Sequence, residues 1–316
     1  MALKTFIIRR LMFFILAFFF SSVLIFSLVH MAQGLPDHYI WSSDLPRGGR
    51  LIEHIGQEQG WDQPLPVQYL MWIGRLLHGD LGFSYVTNRP VWEIIAPRIV
   101  PTVELVLLAE IVAVAIAIVL GVVAAVKKHS MIGSLASHLA LVGYSAPNFW
   151  IALIVMAISI RWLPWLLPLE PYIHPPDLDA SRLVLPTIVL AFGWASYLSR
   201  MVRSSVGEVL NQDYINTARA KGLRETAVIY KHALSNALPP VVKYLGYSVG
   251  FMIGGAVVIE WIFAWPGLGS LLVTLAYHRD YSALLGLSMI IVIIVLFVNF
   301  CADIAHVVLD PRMRRD

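Results

Sequence analysis

The sequence predicts an all-α polytopic membrane protein with six transmembrane helices and an external subdomain between helices 1 and 2. Apolar residues make up 58% of the chain and charged residues only 14%, and the mean hydropathy is +0.73. Soluble domains are roughly half apolar and a quarter charged. Crossing a bilayer takes about 20 apolar helical residues. Six stretches reach that length: 11–31, 101–126, 132–163, 184–202, 242–265 and 284–309.

The first apolar stretch follows a short basic segment, residues 1–10, with Lys4, Arg9 and Arg10. This arrangement resembles a secretory signal peptide. The apolar run is longer than a signal core, however, and no small-x-small cleavage site follows it. We therefore expect residues 11–31 to remain as the first transmembrane helix.

The basic residues predict the orientation of the chain in the membrane. With a cytosolic N-terminus, all six lysines and nine of the seventeen arginines fall on the inner side, so basic residues are in excess there, as the positive-inside rule requires. The C-terminal tail, residues 310–316, is then cytosolic as well. This bias also accounts for the net charge of +3, and no aromatic-interleaved basic patch indicates nucleic acid binding.

The outer loops are predicted to differ in character. Residues 32–97 carry frequent Gly, Pro and Trp and form the external subdomain, either a compact cap or a docking surface for an outer partner. Within it, residues 68–77 have helical apolar spacing, and the Gly79–Gly82 sequence predicts a turn. Residues 161–183 are a proline-rich connector. The third apolar stretch, 132–163, exceeds the required length, so we expect it to tilt or overhang.

Residues 206–240 form a polar segment between two apolar stretches. Ser205 and Glu208 fit a capping box and predict a helix start. Gly222 predicts the end of that helix, because glycine adopts the left-handed conformation readily. A second helix is expected over about 225–237, ending before Pro239 and Pro240. The physics alone leaves two interpretations open: a helix on anionic lipid headgroups, or a docking site for a cytosolic protein.

Several residues inside the apolar stretches are candidates for packing or for a transport path. Three glycines spaced by four share one helix face and allow close approach of another backbone: Gly246, Gly250 and Gly254. Ionisable residues inside the membrane cost about 2.5–3.5 kcal/mol each at mid-bilayer. Asp303 and His306 are three residues apart and could pair.

Three intramembrane glutamates are candidates for an outer gate or a substrate path. Glu104 and Glu260 lie near the outer ends of their stretches, where they either hydrogen-bond within the gate or contact substrate. Glu110 lies about 9 Å deeper than Glu104 in a helix. It either faces a translocation cavity, where it would receive a cationic group, or makes an interhelical hydrogen bond.

Several chemistries are disfavoured by the sequence. The single cysteine, Cys301, rules out an internal disulfide and a cysteine-based metal cluster. No histidine pair has convincing ligand spacing within the membrane, so no metal site is predicted. Neither an H-E-x-x-H motif nor a nucleophile elbow is present, which argues against an integral-membrane enzyme.

Several short motifs together resemble the permeases of ABC importers, most closely the DppB/OppB type of the subfamily that imports dipeptides, oligopeptides and nickel. The long outer segment after the first helix matches that type. One departure is Asn216-Thr217-Ala218, which replaces the Glu-Ala-Ala of the broader importer signature. The resembling stretches are PTVEL (101–105), GDLG (79–82), DYINTARAKGL (213–223), HALSNALP (232–239), GAVVIEWIFAWPGLG (255–269), RDY (279–281) and DPR (310–312).

The resemblance implies a type I permease domain over residues 98–309 in a multi-pass protein of the cell membrane. Residues 206–240 would be its cytosolic coupling loop, seated on an ATPase subunit. The implied partners are a second homologous permease of the DppC/OppC type, two ABC ATPases, an extracytoplasmic substrate-binding protein and membrane lipid. The implied coupling residues are Asp213, Tyr214, Thr217, Ala218, Arg219, Ala220, Lys221, Gly222 and Leu223.

No cofactor is expected on this chain, because it lacks a phosphate-binding G-x-x-x-x-G-K-[ST] loop. ATP and Mg²⁺ would bind to the partner ATPases. The resemblance implies di- or oligopeptide cargo, with nickel or oligosaccharides as alternatives. A stand-alone secondary transporter is a further alternative, but it would need paired intramembrane charges or inverted repeats that the sequence does not show clearly.

Overall fold

The computed structural model describes residues 3–32, 63–84, 86–166 and 180–309. Within these residues, five helices are long and apolar enough to cross a membrane: α1 (Leu3–Met31), α3 (Val91–Val126), α6 (Ala180–Leu210), α9 (Ser235–Ile262) and α11 (Tyr281–Leu309). A bent pair, α4 (Met131–Ser145) and α5 (Asn148–Trp162), supplies a sixth span if it is counted as one. The predicted all-α, six-span fold class is therefore confirmed.

The prediction of one continuous third span over 132–163 is wrong. α4 and α5 meet at an angle of 105°. The break lies at Ala146, whose ψ of 132° is extended, and at Pro147, which precedes α5. A proline disfavours the α conformation of the residue before it, so the bend is encoded locally.

The predicted helix start at Ser205 and Glu208 is also wrong, because both residues lie inside α6. Val202 and Val206 are fully buried and continue the inward stripe of the span at helical spacing. Tertiary packing therefore extends α6 to Leu210, beyond the predicted end at residue 202. α3 is longer than predicted too, since it begins at Val91 and contains Pro97 and Pro101.

The core lies where α3 and α6 pack against each other and α9 covers them. Small residues on α3 and α6 bring these helices close, among them Ala109, Ala113, Ala191 and Ala195. A Cβ on Gly121 of α3 would lie 2.6 Å from Val202 Cβ. α1 packs on α11 at the edge of the bundle.

The described part of the outer segment has its own small structure. Helix α2 (Leu65–Leu77) confirms the predicted helix over 68–77. In the predicted turn, Gly79 and Gly82 have φ of 82° and 84°. A two-stranded antiparallel hairpin follows, β1 (Phe83–Ser84) and β2 (Arg89–Pro90). The rest of the predicted external subdomain, residues 33–62, lies outside the described residues, as do residues 167–179 and the tail, 310–316.

Asp280 attaches this hairpin to the bundle. Its carboxylate is buried and accepts hydrogen bonds from Ser84 Oγ at 2.5 Å and from the Ala283 amide at 3.3 Å. The second bond caps the start of α11, as an Asp before a helix commonly does. One side chain therefore fixes both the hairpin and the first turn of the last span.

Candidate functional site

The polar segment contains a helix that ends at Gly222, as predicted. Helix α7 (Asp213–Ala220) is followed by Gly222 with φ of 74°. The Gly222 amide donates to Arg219 O at 2.9 Å, and the Leu223 amide donates to Ala218 O at 3.4 Å. This pair of bonds is the Schellman arrangement that satisfies the last carbonyls of a helix.

The prediction that the second helix ends at Pro239 and Pro240 is wrong. α8 (Glu225–Ala227) passes into a π-helical turn (Val228–Leu234) and then directly into α9. An interior proline removes one amide donor and clashes with the carbonyl four residues earlier, yet the helix continues through both prolines. The Asn236 side chain also donates to His232 O at 2.7 Å. The polar segment is therefore joined to the span α9 by continuous helix.

The implied coupling residues divide by burial. Ala218 is 7% exposed, so its side chain points inward and is unavailable to a partner in this conformation. It packs with Ile215 of α7 and with Val228 and Ala233 of the second helix, and Val209 and Leu210 of α6 cover the cluster. The others are exposed: Asp213, Tyr214, Thr217, Arg219, Ala220, Lys221, Gly222 and Leu223. We call this exposed set the α7 surface.

An ion pair spans the bend after α7. Arg219 donates to Glu225 through Nη2 at 2.8 Å and Nε at 3.2 Å. The hydrogen bonds from Arg219 lower the pKa of the Glu225 carboxyl. The sequence interpretation placed Glu225 at a helix start without this partner. The two residues are six apart and lie on either side of a turn. The spacing rules for side-chain pairs within one helix therefore do not predict their contact.

Glu260 is fully buried at the end of α9. Its Oε2 accepts hydrogen bonds from the amides of Gly269 at 2.7 Å and Ser270 at 3.1 Å. These amides open helix α10 (Leu268–Tyr277). A helix start exposes amides with partial positive charge. The Glu260 carboxylate of α9 therefore caps the start of α10, as an N-cap residue of α10 itself would otherwise do.

Thr102 of α3 completes this arrangement. Its hydroxyl donates to Glu260 Oε1 at 2.7 Å and accepts from the Leu268 amide at 2.8 Å. The indole of Trp265 donates to Pro101 O at 3.0 Å. A Cβ on Gly267 would overlap the Glu260 carboxylate. We call Thr102, Glu260, Trp265, Gly267 and the first turn of α10 the outer joint.

The other two candidate glutamates have different surroundings. Glu104 is half-buried and makes no hydrogen bond within the described residues. Glu110 Oε1 accepts from Ser248 Oγ of α9 at 2.6 Å, which is the interhelical bond considered above. Its Oε2 is buried and has no partner in the described part of the chain. The structure thus brings Glu260 into a satisfied network and leaves one Glu110 oxygen unsatisfied.

The three glycines of α9 differ in how closely other helices pack against them. A Cβ on Gly246 would overlap Ala302 of α11, and one on Gly250 would lie 3.0 Å from the Asn299 side chain. Both glycines therefore pack within the chain. Gly254 has no atom within 4 Å of such a Cβ, so its packing role has no support in this structure.

Asp303 has partners that the sequence did not indicate. It pairs with Arg10 of α1 at 3.0 Å and accepts from Tyr247 Oη of α9 at 2.8 Å. The side chain of His306, its predicted partner, lies outside the described residues. Among the residues that are described, no group of three or more His, Cys, Asp or Glu could hold a metal ion.

Together, the fold and the α7 surface define a polytopic membrane protein with a helical segment exposed beyond its spans. Residues 117–315 match the family model described as "Binding-protein-dependent transport system inner membrane component". The chain belongs to this family of permease subunits.

Two relatives and one solved structure illustrate the similarity. The dipeptide transport system permease protein DppB of Escherichia coli (strain K12) is 38% identical, with 98% of each chain covered. The oligopeptide transport system permease protein AppB of Bacillus subtilis (strain 168) is 37% identical, covering 98% of this chain and 99% of AppB. An inward-facing MetNI methionine ABC transporter chain has a TM-score of 0.56 at 17% identity, covering 69% of this chain and 96% of that one. This last likeness concerns the fold alone.

Proposed function

We propose that this permease imports di- or oligopeptides as part of an ATP-driven, binding-protein-dependent importer. Two relatives named for dipeptide and oligopeptide transport share 38% and 37% identity with it over nearly the whole chain, which favours peptides over nickel or oligosaccharides. A second permease would complete the path, and an external binding protein would deliver cargo. Two ATPases would bind ATP and Mg²⁺, and the permease itself would be non-catalytic.

The α7 surface is the proposed contact with an ATPase subunit, and its geometry carries the proposal. Eight implied coupling residues are exposed on or just after one short helix, whereas Ile215 and Ala218 fix that helix to the chain's own cluster. One face of α7 is thus packed against other parts of the chain, and the opposite face is exposed. An exposed helix with a rigid inner face suits docking in a cleft.

Continuous helices would transmit a displacement of α7 into the membrane. α7 packs on the end of α6 through Val209 and Leu210, and the second helix runs unbroken into α9. α9 also carries Ser248, which binds Glu110, and Glu260, which anchors the outer joint. ATPase closure could therefore act on mid-membrane and outer contacts through a single element.

The α7 surface and both termini would face the cytosol. The concentration of lysines and arginines on that side supports this orientation. On the opposite side, the outer joint would hold the outer gate of the translocation path closed. Glu260 would have a structural role there, and Glu104 would lie nearer the translocation path. Glu110 would line the route, where its unsatisfied oxygen could receive a cargo ammonium group.

Reconstitution in proteoliposomes tests the function. The permease, its partner permease, both ATPases and the binding protein would be combined, and uptake of labelled dipeptide, longer peptide, Ni²⁺ and oligosaccharide would be measured with and without ATP. We expect ATP-dependent peptide uptake. ATP-independent uptake by the permease alone would instead favour a secondary transporter, and uptake of Ni²⁺ or sugar only would overturn the cargo assignment.

A further inference from the structure

A cavity of about 260 Å³ opens between α3, α4 and α6 near their ends. Its polar lining comes from Ser137 and His138 of α4 and from Ser199, Arg200 and Arg203 of α6. Leu120 of α3 belongs to its apolar lining, six residues before that helix ends at Val126. The cavity therefore lies at the membrane end from which the polar segment extends.

The two arginines bring positive charge that none of the described residues neutralises. Arg203 Nη1 donates to Ser137 Oγ at 2.9 Å, and the Arg200 guanidinium lies 4.9 Å from the ring centre of Tyr144. Neither forms an ion pair with any described residue. α4 has no acidic residue, and the nearest acid along α3, Glu110, lies ten residues before Leu120, about 15 Å away along the helix. On α6, Glu208 lies five residues after Arg203 and is exposed.

Close helix contacts shape the walls of the cavity. A Cβ on Gly121 would lie 2.7 Å from Ser199 O, and one on Gly143 would overlap the Ser196 side chain. α6 is therefore held tightly against α3 at one glycine and against α4 at the other. Gly121 directly follows Leu120, and Gly143 lies two residues after Leu141, so both close contacts lie beside residues that line the cavity.

The surface next to the cavity is apolar. On α4, Met131, Leu135 and Leu139 are 89%, 60% and 43% exposed. Such residues at a membrane boundary suit contact with acyl chains. A ligand with an anionic head and apolar tails matches both parts of the site, whereas a soluble anion would use only the arginines.

We propose that this cavity binds the phosphate headgroup of an anionic phospholipid. Arg200 and Arg203 hold the phosphate, Ser137 orients Arg203, and the acyl chains lie along the exposed face of α4. Basic pockets between transmembrane helices are known to hold anionic headgroups in this way. The inference is independent of the peptide cargo, since it concerns the lipid that surrounds the permease.

The test uses the assembled complex in detergent after delipidation. Phosphatidylglycerol vesicles or mixed micelles are titrated, and binding is followed by native mass spectrometry and by the melting temperature. We expect phosphatidylglycerol to bind and to raise the melting temperature more than phosphatidylcholine does. A hydrogen bond between a guanidinium and a phosphate contributes roughly a tenfold change in affinity or more, so Arg200→Gln with Arg203→Gln should weaken binding by at least about tenfold.

The matched control is Lys127→Gln with Lys128→Gln, which removes the same charge near this end of the membrane without altering the residues that line the cavity. It should retain most of the lipid effect. Equal losses in both double variants would overturn the proposal, because the attraction would then be a general surface effect. An equal response to inorganic phosphate would also overturn it, in favour of a soluble-anion site.

If the double glutamine variant fails to assemble, the wild type and Arg200→Lys with Arg203→Lys decide the matter. The lysine pair keeps the charge and should retain selective binding of phosphatidylglycerol. A wild-type complex that binds phosphatidylglycerol no better than phosphatidylcholine would overturn the proposal without any variant.

Discussion

Thr102 Oγ1 lies 2.7 Å from Glu260 Oε1 and donates a hydrogen bond that joins α3 to the end of α9. Because Glu260 also accepts from two amides of α10, Glu260→Ala would leave three donors without their acceptor, two of them buried and one partly buried. Each such donor costs about 1–3 kcal/mol. We expect the melting temperature of the detergent-solubilised complex to fall sharply, with a smaller fall for Glu260→Gln.

Glu104→Ala is the matched control for this prediction. Glu104 lies two residues from Thr102 on the same helix but makes no hydrogen bond within the described residues, so its removal should hardly change the melting temperature. Equal melting temperatures for Glu260→Ala and Glu104→Ala would show that the outer joint does not stabilise the fold.

Gly246 and Gly254 allow a comparison of two glycines on one helix. Gly246→Ala should destabilise the protein by about 1–3 kcal/mol through overpacking, since the added methyl group would overlap Ala302. Gly254→Ala should be neutral or stabilise by up to about 1 kcal/mol, because alanine is the better helix former. Melting curves of the two variants test this, and a more harmful Gly254→Ala would contradict the packing described.

The Arg219–Glu225 pair predicts a definite pH dependence. The pKa of Glu225 is lowered in the folded protein by its hydrogen bonds from Arg219. The stabilisation is therefore fully present above the unfolded-state pKa of glutamate and is lost as the pH falls through the lower folded-state pKa. Since the pair is exposed, its contribution is small, about 0.2–1 kcal/mol.

Hydrogen exchange of the bend at Gly222 would measure this effect. Protection should be constant from neutral pH down to mildly acidic pH and weaken only under strongly acidic conditions. Arg219→Glu combined with Glu225→Arg should restore protection that Arg219→Glu alone removes. Loss of protection near neutral pH would contradict the assignment.

Glu110→Gln tests the proposed route through the membrane. Two peptides that the binding protein holds equally well, one with an additional lysine, would be compared in proteoliposomes. We expect uptake of the lysine-containing peptide to fall more, because the neutral side chain attracts a cation less. Ser248→Ala removes the hydrogen bond at 2.6 Å but keeps the carboxylate.

Ser248→Ala should therefore preserve the ratio of the two uptake rates. If Glu110→Gln left both the rate and the preference unchanged, Glu110 would have no part in the route. If Ser248→Ala reproduced the Glu110→Gln effect, the interhelical hydrogen bond alone would explain it.

Local chemistry determined which parts of the fold could be predicted. Gly222 ends α7 as expected, because glycine has no Cβ and therefore adopts a positive φ readily. Ser205 and Glu208 failed as a helix start, because the buried faces of Val202 and Val206 continued the span through them. Pro147 was a local signal that the sequence interpretation did not use, and it explains the bend between α4 and α5.

In the candidate site, too, local features could be predicted and contacts between distant residues could not. Exposure of the implied coupling residues followed from the polarity of the segment, but the inward position of Ala218 depends on packing against Val228, ten residues away. Glu260 was recognised as a costly buried charge, whereas its partners Thr102, Gly269 and Ser270 come from two other helices. Contacts between distant elements cannot be read from spacing alone.

Ala220 and Ala218 provide the most direct test of the central claim, that the α7 surface docks on an ATPase. In a Cys301→Ser background, Ala220→Cys and Ala218→Cys would each be treated with a short thiol-to-amine cross-linker in the assembled, transport-active complex. Because Ala220 is exposed and Ala218 is 7% exposed, we expect a permease–ATPase adduct from Ala220→Cys and little or none from Ala218→Cys. No ATPase adduct from Ala220→Cys, in a complex that still couples ATP hydrolysis to uptake, would contradict it.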